Sequence, residues 1–473
     1  LFDECEKLVQ DVHYRDSIRE PMNDFFHFQH KALISATPIV PEKDNRFDSF
    51  MRVLIQPDYE YRQKLKLITT NNVLETLQEV IEAKRGTVCI FCNSIDSIDS
   101  FYRLIPELNN ACTFCSEDGQ YKLWKGNRRK KSMMITELER YNFFTSRFYS
   151  AVDIICKNPP HVILISDLHG ATQSVIDPTT EAIQIIGRFR GGVNTVTHIA
   201  SIRPDLECMS TNEIDNWIQG ASHIFNGWKT QLAQTSNIGE RTLLQEAIGE
   251  NSYLPYLDAN GKPDPFLIAN LYEKEQVKRL YTSTDLLCSA YQQTDYFIFS
   301  HEERLMPVSD NERMAIQHRL AKKKRAELIV RKLEEMEKMS RTTDKKVQKR
   351  YQRMLGNLLT TTNDRYIYDC FCRFGGDFIR ESDYNENKLR TALNVSSEHT
   401  IKQSGQMRSS IQRTFPIGSE LSVQEVKSML KQVYKKMGLN TGRGITTKEL
   451  EQYAEIEKGW KHDNRTIKTL KFK

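Results

Sequence analysis

The sequence contains no run of about 18 apolar residues, the length a helix needs to cross a bilayer, so no membrane partner is expected. Its first residues, Leu1-Phe2-Asp3-Glu4-Cys5-Glu6, lack the basic-then-apolar layout of a secretory leader, and they lack an initiator Met. An apolar pair running straight into two acids is expected of a chain cut from something longer. A disulfide framework is missing too. The ten cysteines stand singly or in short pairs along 473 residues, a pattern that fits reduced thiols in a cytoplasmic protein. There is no strong excess of one charge: a net +5 permits a nucleic-acid partner without arguing for one. No internal repeat is present. The step Gly261-Lys262-Pro263 is no phosphate-binding loop, because it lacks both the upstream glycine and the following Ser or Thr.

The chain is nevertheless too long for one ordinary domain, and its length alone points to about three. Up to residue 205 it reads as alternating strands and helices. Short apolar runs recur at Ala32–Ser35, Thr87–Phe91, Cys112–Cys115 and Val162–Ser166, with a weaker one at Val196–Ile199. Such runs between helical stretches mark a parallel sheet covered on both faces. After residue 205, Val, Ile and turn signals thin out and the periodicity turns helical. Arg319 to Arg353 holds 14 Lys/Arg against 5 Asp/Glu, and Leu320, Ile329, Leu333 and Met336 fall on one helical face. Further on, Ser422-x-x-Glu425 is a capping box, followed at core spacing by Val426, Met429, Leu430, Val433 and Met437, with Gly438 as the stop. Thr446-x-x-Glu449 is expected to open another helix, and the basic tail from Lys461 to Lys473 is expected to fray.

The chemistry starts at the front. Phe2-Asp3-Glu4 places two acids behind an apolar strand end. Hydrolysis of a nucleoside triphosphate needs one carboxylate for Mg²⁺ and a second for the attacking water, and ligands bind at the carboxyl edge of parallel strands. By itself the pair also fits a solvated turn. About thirty residues later, Ala32-Leu33-Ile34-Ser35-Ala36-Thr37-Pro38 is an apolar strand ending in two hydroxyl residues. These can hydrogen-bond a neighbouring carboxylate, or simply form a Ser/Thr turn.

Asp3-Glu4 followed at this distance by Ser35-Ala36-Thr37 resembles motifs II and III of superfamily 2 helicases, the DEAD/DEAH-like group. The remaining motifs can be followed in order. Val88-Cys89-Ile90-Phe91-Cys92-Asn93-Ser94 resembles the motif IV region. Thr145-Ser146-Arg147-Phe148-Tyr149-Ser150-Ala151-Val152-Asp153 resembles motif V, with Ala151 where Gly is usual. Gln184-Ile185-Ile186-Gly187-Arg188-Phe189-Arg190 resembles motif VI. Its second arginine comes two residues after the first, not three, and Gly191 takes the usual place. Which of Arg188 and Arg190 reaches the γ-phosphate is therefore left open. Within the superfamily the match is closest to divergent bacterial, phage or mobile-element helicases.

Motif VI also has a physical rationale. An arginine presented from a second lobe neutralises charge developing on the transferred phosphoryl group, and its planar, permanently charged fork suits that task. Gly187 is expected to let the backbone turn tightly so that Arg188 faces a cleft. Gly-Arg-Phe-Arg-Gly-Gly alone also fits a basic turn; five partial motifs in order carry more weight.

The resemblance implies a fold and a set of roles. The fold is α/β: a RecA-like parallel-sheet helicase lobe, with the tail of a first lobe before it and a mostly helical C-terminal region after it. Residues 1–45 would be the end of the first lobe, 46–205 the second lobe, 206–360 a helical accessory region with a basic helix, and 361–473 a small helical module. ATP and Mg²⁺ are the implied cofactors. Asp3 would hold Mg²⁺, Glu4 would activate water, and Ser35 and Thr37 would couple that site to the lobe interface. Arg188 and Arg190 would reach across from the second lobe. Gln184, Gly187 and Asp153 would stand at the nucleotide, and Thr145, Arg147 and Asn93 at the nucleic acid, with DNA favoured over RNA. The activity expected is ATP-driven translocation and unwinding by the full-length protein, with little turnover by these residues alone. A motor that hydrolyses ATP without unwinding, and a degenerate nucleic-acid-binding scaffold, are the alternatives.

Two further features bear on possible ligands. Cys89-x-x-Cys92 and Cys112-x-x-Cys115 come close to a four-cysteine zinc pattern, but both lie in strand-like runs, where residues three apart face opposite sides, so zinc is not expected. Tyr121, Trp124, Lys125, Arg128, Arg129, Lys130 and Lys131 mix rings with cations, which suits a single strand of nucleic acid or a solvated loop.

Overall fold

The computed structural model describes the chain except residues 125–129, 136, 151, 317–319, 341–352, 354–363, 440, 442–443 and 462–463. It divides into two compact units, Leu1–Arg313 and Met314–Lys473. Among the described residues, no helix is long and apolar enough to cross a membrane.

The first unit opens with β1 (Phe2–Asp3), α1 (Lys7–Gln10), α2 (Pro21–His27) and β2 (Leu33–Ile34). β1 and β2 pair in parallel as a small sheet of their own. An alternating α/β run follows: β3 (Gln63–Thr70), α3 (Val73–Glu82), β4 (Val88–Cys92), α4 (Ile95–Leu104), β5 (Cys112–Phe114), α5 (Glu117–Trp124), β6 (Lys130–Ser132), β7 (Tyr141–Phe144), β8 (His161–Ser166), α6 (Glu181–Gly187) and β9 (Thr195–Ala200). Then come α7 (Thr211–Gln234), α8 (Ile238–Gly249), α9 (Pro265–Leu280), α10 (Thr284–Gln292), β10 (Phe297–Arg304) and the short α11 (Asp310–Met314). The large sheet has eight strands in the order β10-β3-β9-β8-β4-β7-β5-β6, and all neighbours run parallel.

The strand sequences follow from their places in this sheet. β4 (Val-Cys-Ile-Phe-Cys) and β8 (His-Val-Ile-Leu-Ile-Ser) are buried at every position because helices cover both faces. On one face Phe91, Phe144 and Phe114 come from three neighbouring strands and stack in a row, with ring centroids 4.9 Å apart on each side of Phe144. On the other face Ile90, Phe143 and Ile163 pack under α3 and α4. The cysteine pairs split between these faces. Cys89 and Cys112 belong to the first cluster, Cys92 and Cys115 to the second.

The region after 205 is mostly helical, as its periodicity predicts, but one stretch read as helical is a strand. β10 pairs with β3 along its whole length and forms one edge of the large sheet. It opens Phe297-Ile298-Phe299 and ends His301-Glu302-Glu303-Arg304, and the charged second half suits an edge strand.

β8, β9, α9 and α10 meet in a fully buried polar network. Ser166 Oγ lies 3.0 Å from His198 Nε2 and 2.9 Å from the Tyr281 hydroxyl, and His198 Nδ1 lies 2.7 Å from the Tyr291 hydroxyl. Burial pushes the His198 imidazole down to about 3. In the unfolded chain it takes a proton near pH 6.5. The stability it contributes is therefore fully present above about pH 6.5 and is lost as pH falls from there toward 3, where the unfolded chain binds the extra proton. A His198→Gln variant should lose less stability than the wild type between pH 6.5 and 4 in urea unfolding. Identical acid limbs would dismiss this account.

In the second unit, α12 (Lys322–Ser340) buries Ala326, Ile329, Val330, Leu333 and Met336. The rest of the basic stretch, Arg319 and 341–352, lies outside the described residues apart from Arg353. Helices Arg365–Glu381, Glu386–Lys402, Gly405–Thr414 and Val423–Lys436 follow. The Ser422–Glu425 capping box is formed, with Val426, Leu430 and Val433 buried behind it, and Gly438 follows the helix at φ +75°. Two expectations fail here. Thr446 opens only a 3₁₀ turn, Thr447–Gln452, and the basic tail is strand β13 (Asn464–Phe472). It pairs antiparallel with β11 (Glu420–Ser422) and β12 (Ala454–Lys461). Thr466, Ile467 and Thr469 are buried in that strand, and this anchoring overrides its lysines.

Candidate functional site

Phe2 pairs with Leu33 and Asp3 with Ile34, so two parallel strands end side by side. Their next residues, Glu4 to Glu6 and Ser35 to Thr37, therefore emerge at one carboxyl edge. Glu4 adopts φ +52°, a left-handed conformation that is costly for a side chain with a Cβ. That turn starts α1 and points the next acid inward. Glu6, absent from the sequence-derived set, is fully buried at 0% exposure.

Glu6 is the hub of the site. Ser35 Oγ donates to one of its carboxylate oxygens, and Gln184 Nε2 donates to the other at 3.2 Å. The same amide nitrogen reaches Thr37 Oγ1 at 2.9 Å, and the Thr37 backbone N–H donates to Ser35 Oγ at 2.9 Å. Burial raises the pKa of Glu6, and the Ser35 bond opposes that rise. The Arg188 guanidinium is fixed at three nitrogens. Nε donates to the Gln184 carbonyl (3.0 Å), Nη2 to Gln184 Oε1 (2.9 Å) and Nη1 to Glu4 Oε1 (3.3 Å). Gln184 and Arg188 can act together because four residues separate them along α6 and its end, which places them on one face.

Arg190 behaves differently. Its Nε donates to Asp153 Oδ1 at 2.8 Å, and both side chains are largely exposed. The loop carrying Asp153 is joined to the end of α6 by the Ile154 N–H, which donates to the Arg188 carbonyl at 2.9 Å. Gly187 closes α6 without a positive φ, and a Cβ there would meet nothing within 4 Å. The glycine is thus not what turns Arg188 toward the acids, contrary to expectation.

Asp3 is exposed, and its Oδ1 accepts the Glu4 N–H at 2.9 Å. An exposed carboxylate with this single neighbour suits Mg²⁺, which takes one or two carboxylates and keeps several waters. Among the described residues, no group of three or more His, Cys, Asp or Glu could hold a metal ion.

The residues expected at nucleic acid stand apart from this network. Thr145 is buried, and both its N–H and its hydroxyl donate to the Phe114 carbonyl, at 3.1 and 3.4 Å. Its hydroxyl is thus already committed. Asn93 Nδ2 donates to the Gln173 carbonyl at 3.3 Å, and Arg147 is exposed. Ala151, Lys125, Arg128 and Arg129 lie outside the described residues.

Sequence reasoning also missed the brace behind the site. Asn270 on α9 donates to the Val9 carbonyl at 2.8 Å, while Gln10 Nε2 reaches Thr180 Oγ1 (3.1 Å) and Glu273 Oε1 (2.8 Å). α9 thereby holds both α1 and the start of α6. Phe266 and Leu267 pack with Leu8 and Val9, while Tyr281, just beyond α9, packs in the sheet core. Burial lifts the carboxyl of Glu181 to about 8 and that of Glu273 to about 7. An acid such as Glu6, set between Cys5 and the apolar pair Leu8-Val9, was the one available sequence signal. A charge amid core residues is retained where it has a partner.

No protein-family model and no curated protein matches the chain.

Proposed function

We propose that this chain supplies the water-activating acids and the arginine wall of the nucleotide cleft in an ATP-dependent superfamily 2 nucleic-acid helicase. One observation carries the reading: residues about 180 positions apart, Glu4 and Glu6 on one side and Gln184 and Arg188 on the other, converge at hydrogen-bonding distance. The eight-stranded parallel sheet is compatible with a RecA-like lobe. Asp3 would hold Mg²⁺ through water, Glu4 would orient and deprotonate the attacking water, and Arg188 would neutralise the phosphoryl group. Glu6, Ser35, Thr37 and Gln184 would report the state of the nucleotide across the interface. Arg190 and Asp153, paired at the rim, would steady the loop next to it. The reading assigns no phosphate cradle to these 473 residues, because no Gly-x-x-x-x-Gly-Lys-Ser/Thr element occurs among them.

The test is nucleic-acid-stimulated ATP hydrolysis by the full-length protein. Glu4→Gln should lower turnover by roughly 10²–10⁴-fold, the usual worth of a positioned general base. Unchanged turnover would remove the assignment, and strand displacement run in parallel separates a helicase from a motor that does not unwind.

A further inference from the structure

The last 73 residues form a second basic region besides the stretch from Arg319 to Arg353. Residues 401–473 hold 15 Lys/Arg against 7 Asp/Glu, a surplus of 8 that exceeds the +5 of the whole chain. On α12 part of the charge is already matched, although Lys324 and Lys338 are exposed with no ion-pair partner among the described residues. Lys322 pairs with Glu386, Lys323 with Asp383 and Arg325 with Asp364, while Lys332 pairs with Glu335 within the helix.

On helix Val423–Lys436 the situation differs. One face turns Val426, Leu430, Val433 and Tyr434 into the core. The other carries Lys427, Lys431 and Lys435 at intervals of four, all exposed, and among the described residues none of them has an ion-pair partner. Lys435 gains from the helix C-terminus, but Lys427 and Lys431 sit too far up the helix to do so. Like charges at this spacing repel and weaken a helix. A polyanion lying along the file would relieve that repulsion.

A second feature of the same module points to the kind of polyanion. Trp460 is 69% exposed on β12, directly across from Arg465 on β13, whose guanidinium lies 5.1 Å from the centre of the indole ring. An exposed indole backed by a cation suits stacking on an unpaired base. A lipid surface fits less well. The residues between the lysines on the open helix face are Gln424, Ser428 and Gln432, and an interfacial helix needs an apolar face turned to the membrane.

We propose that this module carries a binding site for single-stranded nucleic acid, in which Lys427, Lys431 and Lys435 contact phosphates and Trp460 stacks on a base. The choice of partner rests on the nucleic-acid motor reading. The surface itself is tested without nucleotide, so loss of ATP hydrolysis in Glu4→Gln leaves its binding untouched and the two readings fail separately.

The measurement is fluorescence anisotropy of the whole chain with a labelled 20-nucleotide oligothymidine across a salt series. K427Q/K431Q/K435Q should weaken binding about tenfold at 0.1 M salt and flatten the slope of log K against log salt by about 2, because three phosphate contacts on a single strand are lost. W460A should weaken binding about tenfold while leaving the slope unchanged. K322Q/K323Q, whose lysines are already paired, should change neither quantity. All of these side chains are exposed, and thermal midpoints measured beside the binding check that each variant is folded. Wild-type affinity and slope in the triple lysine variant would overturn the proposal. So would binding to phosphatidylserine vesicles that the oligonucleotide does not compete away.

Discussion

Replacing Arg188 with Ala in the full-length protein is expected to cut nucleic-acid-stimulated ATP hydrolysis by about 10³-fold or more, the worth of an arginine that neutralises a transferred phosphoryl group. Arg190→Ala should cost far less. The spacing of the two arginines left their roles open, and their surroundings differ. Arg188 is largely buried, is held by Gln184 and reaches Glu4, whereas Arg190 is largely exposed and bound to Asp153 at the rim. Arg188→Lys should not restore activity. An ammonium is a point charge and cannot engage the Gln184 carbonyl, the Gln184 amide oxygen and Glu4 in one plane. Steady-state turnover at saturating ATP and nucleic acid, measured for the two alanine variants side by side, decides the matter. Equal losses would mean that the fixed guanidinium has no special role, and a larger loss at Arg190 would reverse the assignment.

The largest effect on stability should come from Phe144→Ala, about 3–5 kcal/mol in urea unfolding of the first unit. Phe144 is fully buried at the end of β7. It is stacked between Phe91 and Phe114 at interplanar angles of 17° and 16° and meets the edge of Phe148 at 6.0 Å. Removing the middle ring opens a void that neighbouring strands of one sheet cannot close, because their spacing is set by backbone hydrogen bonds. Total stabilities are about 5–15 kcal/mol, so a loss of this size would leave the unit near its unfolding threshold. Phe144→Leu, which keeps most of the volume, should cost clearly less. A change under about 1 kcal/mol for the alanine variant would mean that the row of rings does not bear the packing described.

Four of the strands that were legible in the sequence share one property. Thr87–Phe91, Cys112–Cys115, Val162–Ser166 and Val196–Ile199 became β4, β5, β8 and β9, all central enough to be apolar on both faces. Among the strands that escaped notice are the short β7 and two with polar residues along them. β3 starts Gln63-Lys64-Leu65-Lys66-Leu67 and β10 is charged along its second half, patterns that a search for continuous apolar runs passes over. In the candidate site, Glu4, Ser35, Thr37, Gln184 and Arg188 could be named in advance from the motif resemblance, and the fold brings them together by hydrogen bonds. Glu6 could not. Its importance comes from a left-handed turn at Glu4 and from partners nearly 180 residues away, and neither leaves a mark on the local pattern. The unpaired lysines of the C-terminal helix were hidden for a similar reason. Sequence counts charges, but only the fold shows which of them are already matched.

The edge position of β10 has a consequence for the birth of the protein. β3 and β9 are complete once Ala200 has been made, but the strand that covers the outer side of β3 begins only at Phe297. At ordinary ribosomal speeds of about 5–20 residues per second, that interval lasts on the order of 5–20 s. Throughout it the outer edge of β3, with Leu65 and Leu67 along it, offers free N–H and C=O groups to any passing strand. A nascent chain halted near residue 205 would therefore be sticky, and slower decoding through α7 to α10 would lengthen the window in which it needs a chaperone.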